Sequence, residues 1–155
     1  MPRKLAVLPV LALLALLATP SFAAKPKQYK ALLTGAQEVP TVRTPGTGKA
    51  TFKLAADRKS ISFKLTYAHL TSPTVFAHVH AGKKGKAGNV IVSLATKSFR
   101  SGFTGTIRAK DLPKSGRYTT ITALANALAN GSTYTNIHTS KNAGGEIRGQ
   151  NKLDD

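Results

Sequence analysis

The chain has 155 residues with 41% hydrophobic content, no Cys and no Trp, and 23 Lys+Arg against 6 Asp+Glu for a net charge of +17. That length and apolar content suit one domain with its own core and exclude a fully disordered or collagen-like chain. The lack of Cys excludes a disulfide framework, thiolate metal ligands and a Cys nucleophile, so any chemistry falls to His, carboxylates or hydroxyls.

Residues 1–23 open with Arg3-Lys4, continue as an apolar run from Leu5 to Ala18 and end on Ser21-Phe22-Ala23. A positive start, a short apolar centre and small residues at −3 and −1 predict a signal peptide cleaved after Ala23. The run is shorter than the roughly 20 residues of a membrane-spanning helix, and no second apolar stretch follows. The expected product is a single domain, residues 24–155, outside the cytoplasm: periplasmic, on the cell surface or secreted. Loss of Arg3 and Lys4 takes the net charge from +17 to +15.

Beyond the leader, short segments of alternating apolar and polar residues are separated by Gly, Pro, Asn and Asp, the pattern of an all-β domain. Strands are expected over 29–37, then over 47–55 and 60–68 as a hairpin around Asp57-Arg58-Lys59. In the second of these, Ile61, Phe63, Leu65 and Tyr67 share one face. Further strands are expected over 75–81 and 90–94, joined by a Gly- and Lys-rich loop over 82–89, and over 102–109. Helical spacing of Ile121, Leu124 and Leu128, stopped by Asn130-Gly131, predicts one helix over 119–129. Strands over 133–139 and 146–151 close the domain, and the basic and acidic ends are expected to be loose. The fold expected is an antiparallel, immunoglobulin-like or related β-sandwich with one short helix.

Three stretches carry a resemblance. Ala77-His78-Val79-His80-Ala81-Gly82 with its following Gly-rich loop is similar to the central motif of the CHRD domain. Gly131-Ser-Thr-Tyr134-Thr-Asn136-Ile-His138-Thr139 with Gly145-Glu146-Ile147-Arg148-Gly149-Gln150 resembles that family's closing signatures, and Leu33-Thr-Gly35-Ala-Gln-Glu38-Val-Pro40 its opening. The family's usual Pro is Ala143 in one loop and Asn89 in another. The resemblance implies a β-sandwich exported from the cell, over about residues 29–150, and no particular reaction.

The residues themselves point to His78 and His80, which share one strand face, and to His138 on a later strand. Were those strands neighbours, three imidazoles with an open position would suit copper or zinc. The His-Val-His strand also resembles the copper-binding strand of copper/zinc superoxide dismutases, although the other ligands and the cysteine pair of those enzymes have no counterparts. The competing reading is that the imidazoles hydrogen-bond the loops 82–89 and 140–145 to the sheet, through Glu146 or backbone carbonyls. His69 reads as a turn residue.

Glu146, Arg148 and Gln150 alternate along the last strand, where Arg148 suits either an anionic ligand or an ion-pair ladder with Glu146. Lys83, Lys84 and Lys86 form the one basic cluster, without interleaved aromatics for base stacking, so no specific nucleic-acid signal is present. Hydrolase, phosphate-loop and dinucleotide motifs are missing. Two functions are therefore expected in turn: a non-enzymatic module whose basic surface meets anionic envelope or matrix components, or a His-based metal-binding protein.

Overall fold

The computed structural model describes residues 26–154. The expected signal peptide, residues 1–23, lies outside the described residues. Nine strands and one helix follow in the order β1 (Gln28–Thr34), β2 (Thr47–Leu54), β3 (Ser60–Ala68), β4 (Thr74–Ala81), β5 (Val90–Ala95), β6 (Phe103–Arg108), α1 (Ile121–Ala129), β7 (Thr133–Thr139), β8 (Ile147–Gln150) and β9 (Lys152–Leu153). Single 3₁₀ turns occupy Gly35–Gln37 and Ala109–Asp111.

All pairings are antiparallel, and the strands join in one hydrogen-bonded path, β5-β4-β7-β8-β1-β2-β3-β6, with β9 on β1. This corrects the expectation of a sandwich. Instead of two sheets packed face to face, one sheet rolls almost into a barrel, and its end strands β5 and β6 approach without pairing. A cleft of about 230 Å³ lies between them, lined by Val92, Leu94, Phe103 and Ile107 among others. Alternation alone does not distinguish the two architectures, since either buries one face of each strand.

The inward face carries the core: Tyr29, Ala31 and Leu33 of β1, Phe52 and Leu54 of β2, Ile61, Phe63 and Leu65 of β3, Val79 of β4 and Ile137 of β7 are buried. Helix α1 starts at Thr120, whose hydroxyl accepts from the Ala123 amide at 3.1 Å in the standard N-cap manner. It buries Ile121, Leu124, Ala125 and Leu128 and packs across β3, β7 and β9. Lys27 and Asp154, expected to be loose, are tied down: the Leu54 amide donates to the Lys27 carbonyl, the Asp154 amide donates to that of Gln28, and Lys30 pairs with the Asp154 carboxylate.

Candidate metal centre

On β4, Ala77 and Val79 are fully buried on the core side, so alternation turns His78 and His80 to the outer face. Strand β7 pairs directly with β4, placing His138 opposite Phe76, Asn136 opposite His78 and Tyr134 opposite His80. His138 is therefore the diagonal neighbour of His78, and their ring centroids are 4.8 Å apart. The β4–β5 register shifts between Ala77 and His78 and between Val79 and His80, each time leaving one extra residue on β5, Leu94 or Ile91, beside the site, a common place for bulges.

The three imidazoles offer one nitrogen each, all within 4.8 Å of one another. Three nitrogens bonded at about 2.0–2.1 Å to one tetrahedral ion lie about 3.3–3.4 Å apart, so the widest pair needs to close by about 1.4 Å to hold one ion.

Which nitrogens face inward is decided by the loops. His80 Nδ1 lies 2.9 Å from the Gly88 carbonyl and His138 Nδ1 lies 2.8 Å from that of Ala143. A carbonyl only accepts, so both rings carry their proton on Nδ1 and present Nε2 as a lone pair. The expected loop-tying role is thus met through backbone carbonyls, and it turns both Nε2 lone pairs toward the cluster. His138 Nε2 faces His78 Nδ1 at 3.0 Å. His80 Nε2 is buried without any hydrogen-bond partner. Such carbonyl anchors are the usual outer support of a metal-bound imidazole.

Burial and mutual repulsion keep the cluster uncharged. Desolvation, followed by the neighbouring His138 and His80, lowers the His78 pKa to about 4. Desolvation also lowers His80 and His138, against the opposing effect of their carbonyl hydrogen bonds. Neutral imidazole is the form that binds metals.

Further residues hold the site in shape. Tyr134 stacks flat on His80, with centroids 4.8 Å apart and planes 5° from parallel, and its hydroxyl accepts from the Gly88 amide at 3.3 Å. A side chain on Gly88 would place its Cβ 1.8 Å from the Ala81 carbonyl oxygen, so only glycine brings that loop to His80. Arg148 lies 4.1 Å over the Tyr134 ring and donates to the carbonyls of Gln37 at 2.6 Å and Lys86 at 3.2 Å.

Glu146 and Arg148 take separate partners rather than forming a ladder. The fully buried Glu146 carboxylate accepts from the hydroxyls of Thr44, Thr71 and Thr139, the Thr71 amide and the Asn142 side chain at 2.6–3.2 Å. These bonds join three loops to the end of β7, including the loop whose Ala143 carbonyl orients His138. Burial raises the Glu146 pKa, and the donated hydrogen bonds outweigh it, so the net shift is downward.

Two neighbours of the cluster escaped the sequence reading as site residues. Glu38 and Asn136 each keep one oxygen, Oε1 and Oδ1, buried and unpartnered. Both crowd against Gly145. Glu38 also lines a cavity of about 240 Å³ with Lys84, Arg148 and Gln150. Burial lifts its pKa to about 7 against the pull of Arg148. Its place in the Gln-Glu-Val-Pro stretch was the one available signal. Lys83, Lys84 and Lys86 are exposed on the 82–89 loop, and His69 is exposed just after β3 with φ 56°.

The sequence profile of the CHRD domain matches residues 29–151. The chain belongs to the CHRD domain family. No curated protein sequence matches it. The His-Val-His strand, the Tyr134 to Thr139 strand and the closing Glu146 to Gln150 segment of this CHRD domain are thus the parts that build the cluster, its stacking partner and its outer support. No helix among the described residues is long and apolar enough to cross a membrane.

Proposed function

We propose that this CHRD domain is an exported, non-enzymatic binding module whose His78, His80 and His138 take up one zinc or copper ion. The observation that carries the reading is the convergence of three neutral imidazoles from two adjacent strands, with His80 Nε2 buried and unpartnered. An orphaned buried nitrogen costs about 1–3 kcal/mol, and a cation at the centre removes that cost while leaving both loop carbonyls bonded. Three nitrogen ligands leave an open position, so the ion keeps room for a water or a partner's donor group.

The test is metal content. Protein without its leader, equilibrated with Zn²⁺ or Cu²⁺ and desalted, is expected to retain one ion per chain. His80→Ala and His138→Ala are expected to lose it, while His69→Ala keeps it. Equal retention by all four proteins would overturn the reading.

A second reading, that the domain meets anionic envelope or matrix components, is favoured by the excess of exposed Lys over acidic side chains. It needs a surface, and two are available: the Lys83-Lys84-Gly85-Lys86 loop and the outer face of the sheet.

A further inference from the structure

The outer face of β1, β2, β3, β6 and β9 is a lattice of amines and hydroxyls. Alternation turns Phe52, Phe63 and Leu65 inward and Lys49, Thr51, Lys53 and Lys64 outward. The register then decides their arrangement. Thr51 stands directly opposite Lys30 on β1 and Lys64 on β3, with Lys49 and Lys53 two residues to either side of it on β2. One threonine is thus ringed by four lysines, whose Cα atoms are diagonal neighbours about 7–8 Å apart. Lys152 of β9 extends the row from Lys30, and Thr104 of β6 extends it from Lys64.

Little offsets this charge. Lys49, Lys53 and Lys64 are exposed, and among the described residues the face holds one carboxylate, Asp154, paired with Lys30. Holding so many like charges on one sheet face costs stability, and the fold makes no internal use of them. Asp154 shows what relieves it: Lys30, and then the fields of Lys49 and Lys152, lower its pKa. A shallow trough of about 480 Å³ crosses the same face, lined by Thr51, Lys53, Ser62, Lys64, Thr104 and Thr106 among others.

We infer that this face binds a linear polysaccharide bearing carboxylate or sulfate groups, laid in the trough across β2, β3 and β6. The inference rests on the anionic-partner reading above and assigns it a surface other than the Lys83 to Lys86 loop. Amines at regular spacing meet the anionic groups, and the hydroxyls of Thr51, Ser62 and Thr104 hydrogen-bond sugar oxygens between them. Nucleic acid fits less well, because among the described residues no aromatic ring is exposed on this face for base stacking. A bilayer is flat, and among the described residues Leu32 is the one large apolar side chain that this face exposes, so neither trough nor hydroxyls serve lipid.

The experiment uses protein without its leader and measures binding to polygalacturonate and to heparin, with phosphatidylglycerol vesicles and duplex DNA as comparison arms. A triple variant, Lys49→Gln/Lys53→Gln/Lys64→Gln, is set against Lys83→Gln/Lys84→Gln/Lys86→Gln, which removes the same charge from the loop. The platform variant is expected to lose on the order of tenfold or more in affinity for at least one of the polysaccharides, and to show a shallower salt dependence. The loop variant is expected to lose less than about threefold, and Asp154→Asn to gain affinity because a competing carboxylate is gone. Equal losses in the two triple variants would overturn the placement and leave the anionic-partner reading standing. Wild-type protein that binds neither polysaccharide would overturn both, and stronger binding to vesicles or DNA would overturn the choice of partner.

Discussion

His78 Nδ1 and His138 Nε2 lie 3.0 Å apart on adjacent strands, and the second of these is a lone pair because the Ala143 carbonyl holds the proton of that ring on Nδ1. Either a single proton bridges the two nitrogens, or a cation does. Protonating both rings would set two positive charges side by side in a desolvated pocket, which explains why acid is resisted here.

The first prediction follows from that resistance. Spacing alone puts metal loss near the ordinary His value of about 6.5. With His78 lowered to about 4, and His80 and His138 also lowered, protons compete for the nitrogens only at lower pH. Zinc measured after dialysis at a series of pH values is expected to persist below 6 and to be lost toward 4. Complete release by pH 6 would contradict the burial of the cluster.

Gly145 gives a stability prediction. Its φ is +124°, and a Cβ there would sit 2.5 Å from Glu38 Oε1 and 2.8 Å from Asn136 Nδ2. Gly145→Ala combines backbone strain with displacement of two buried polar side chains, and is expected to cost about 1–3 kcal/mol. Denaturant melts would show it, and an unchanged midpoint would mean the loop has another way to close.

Glu38 and Glu146 are expected to respond to pH with opposite signs. Glu38 has a folded pKa of about 7, above the ordinary 4.5, so its ionised form is penalised in the folded state. Its contribution to stability falls as pH rises from about 4.5 to 7. Glu38→Gln removes that penalty and is expected to stabilise the protein at pH 8 by on the order of 1–3 kcal/mol, with little gain at pH 4. Urea melts at the two pH values decide it.

Glu146 has a folded pKa below 4.5, so its contribution is present above that value and is lost as pH falls through the lowered one. Glu146→Gln replaces an acceptor of five hydrogen bonds by a group that accepts on one side only. It is expected to cost about 1–3 kcal/mol at pH 7 and to flatten the acid end of the stability curve. His138 leans on the same loop, so metal retention should weaken in this variant too. A variant as stable as wild type at pH 7 would show that the three loops close without the carboxylate.

Residue patterns alone determined much of this protein. Alternation in segments such as Ile61-Phe63-Leu65, punctuated by turn residues, located eight of the strands to within a few residues, and the spacing of Ile121, Leu124 and Leu128 located the helix. The motifs around His80, His138 and Glu146 pointed to the family, and the period of two put His78 and His80 on one face. These are local properties, set by side-chain direction and turn chemistry within a few residues.

Tertiary structure decided the rest, because register and closure depend on partners far along the chain. That β4 pairs with β7, sixty residues later, is what brings His138 beside His78, and one continuous path rather than two sheets follows from β8 bridging β7 and β1. The tautomers of His80 and His138 were set by loop carbonyls from Gly88 and Ala143, which no spacing rule foresees. Glu146 met Thr44, Thr71 and Thr139 instead of Arg148, since burying a carboxylate demands several donors at once. The ring of lysines around Thr51 is likewise invisible in one dimension: Lys30, Lys49, Lys53 and Lys64 look dispersed along the chain, and only the cross-strand register gathers them onto a single face.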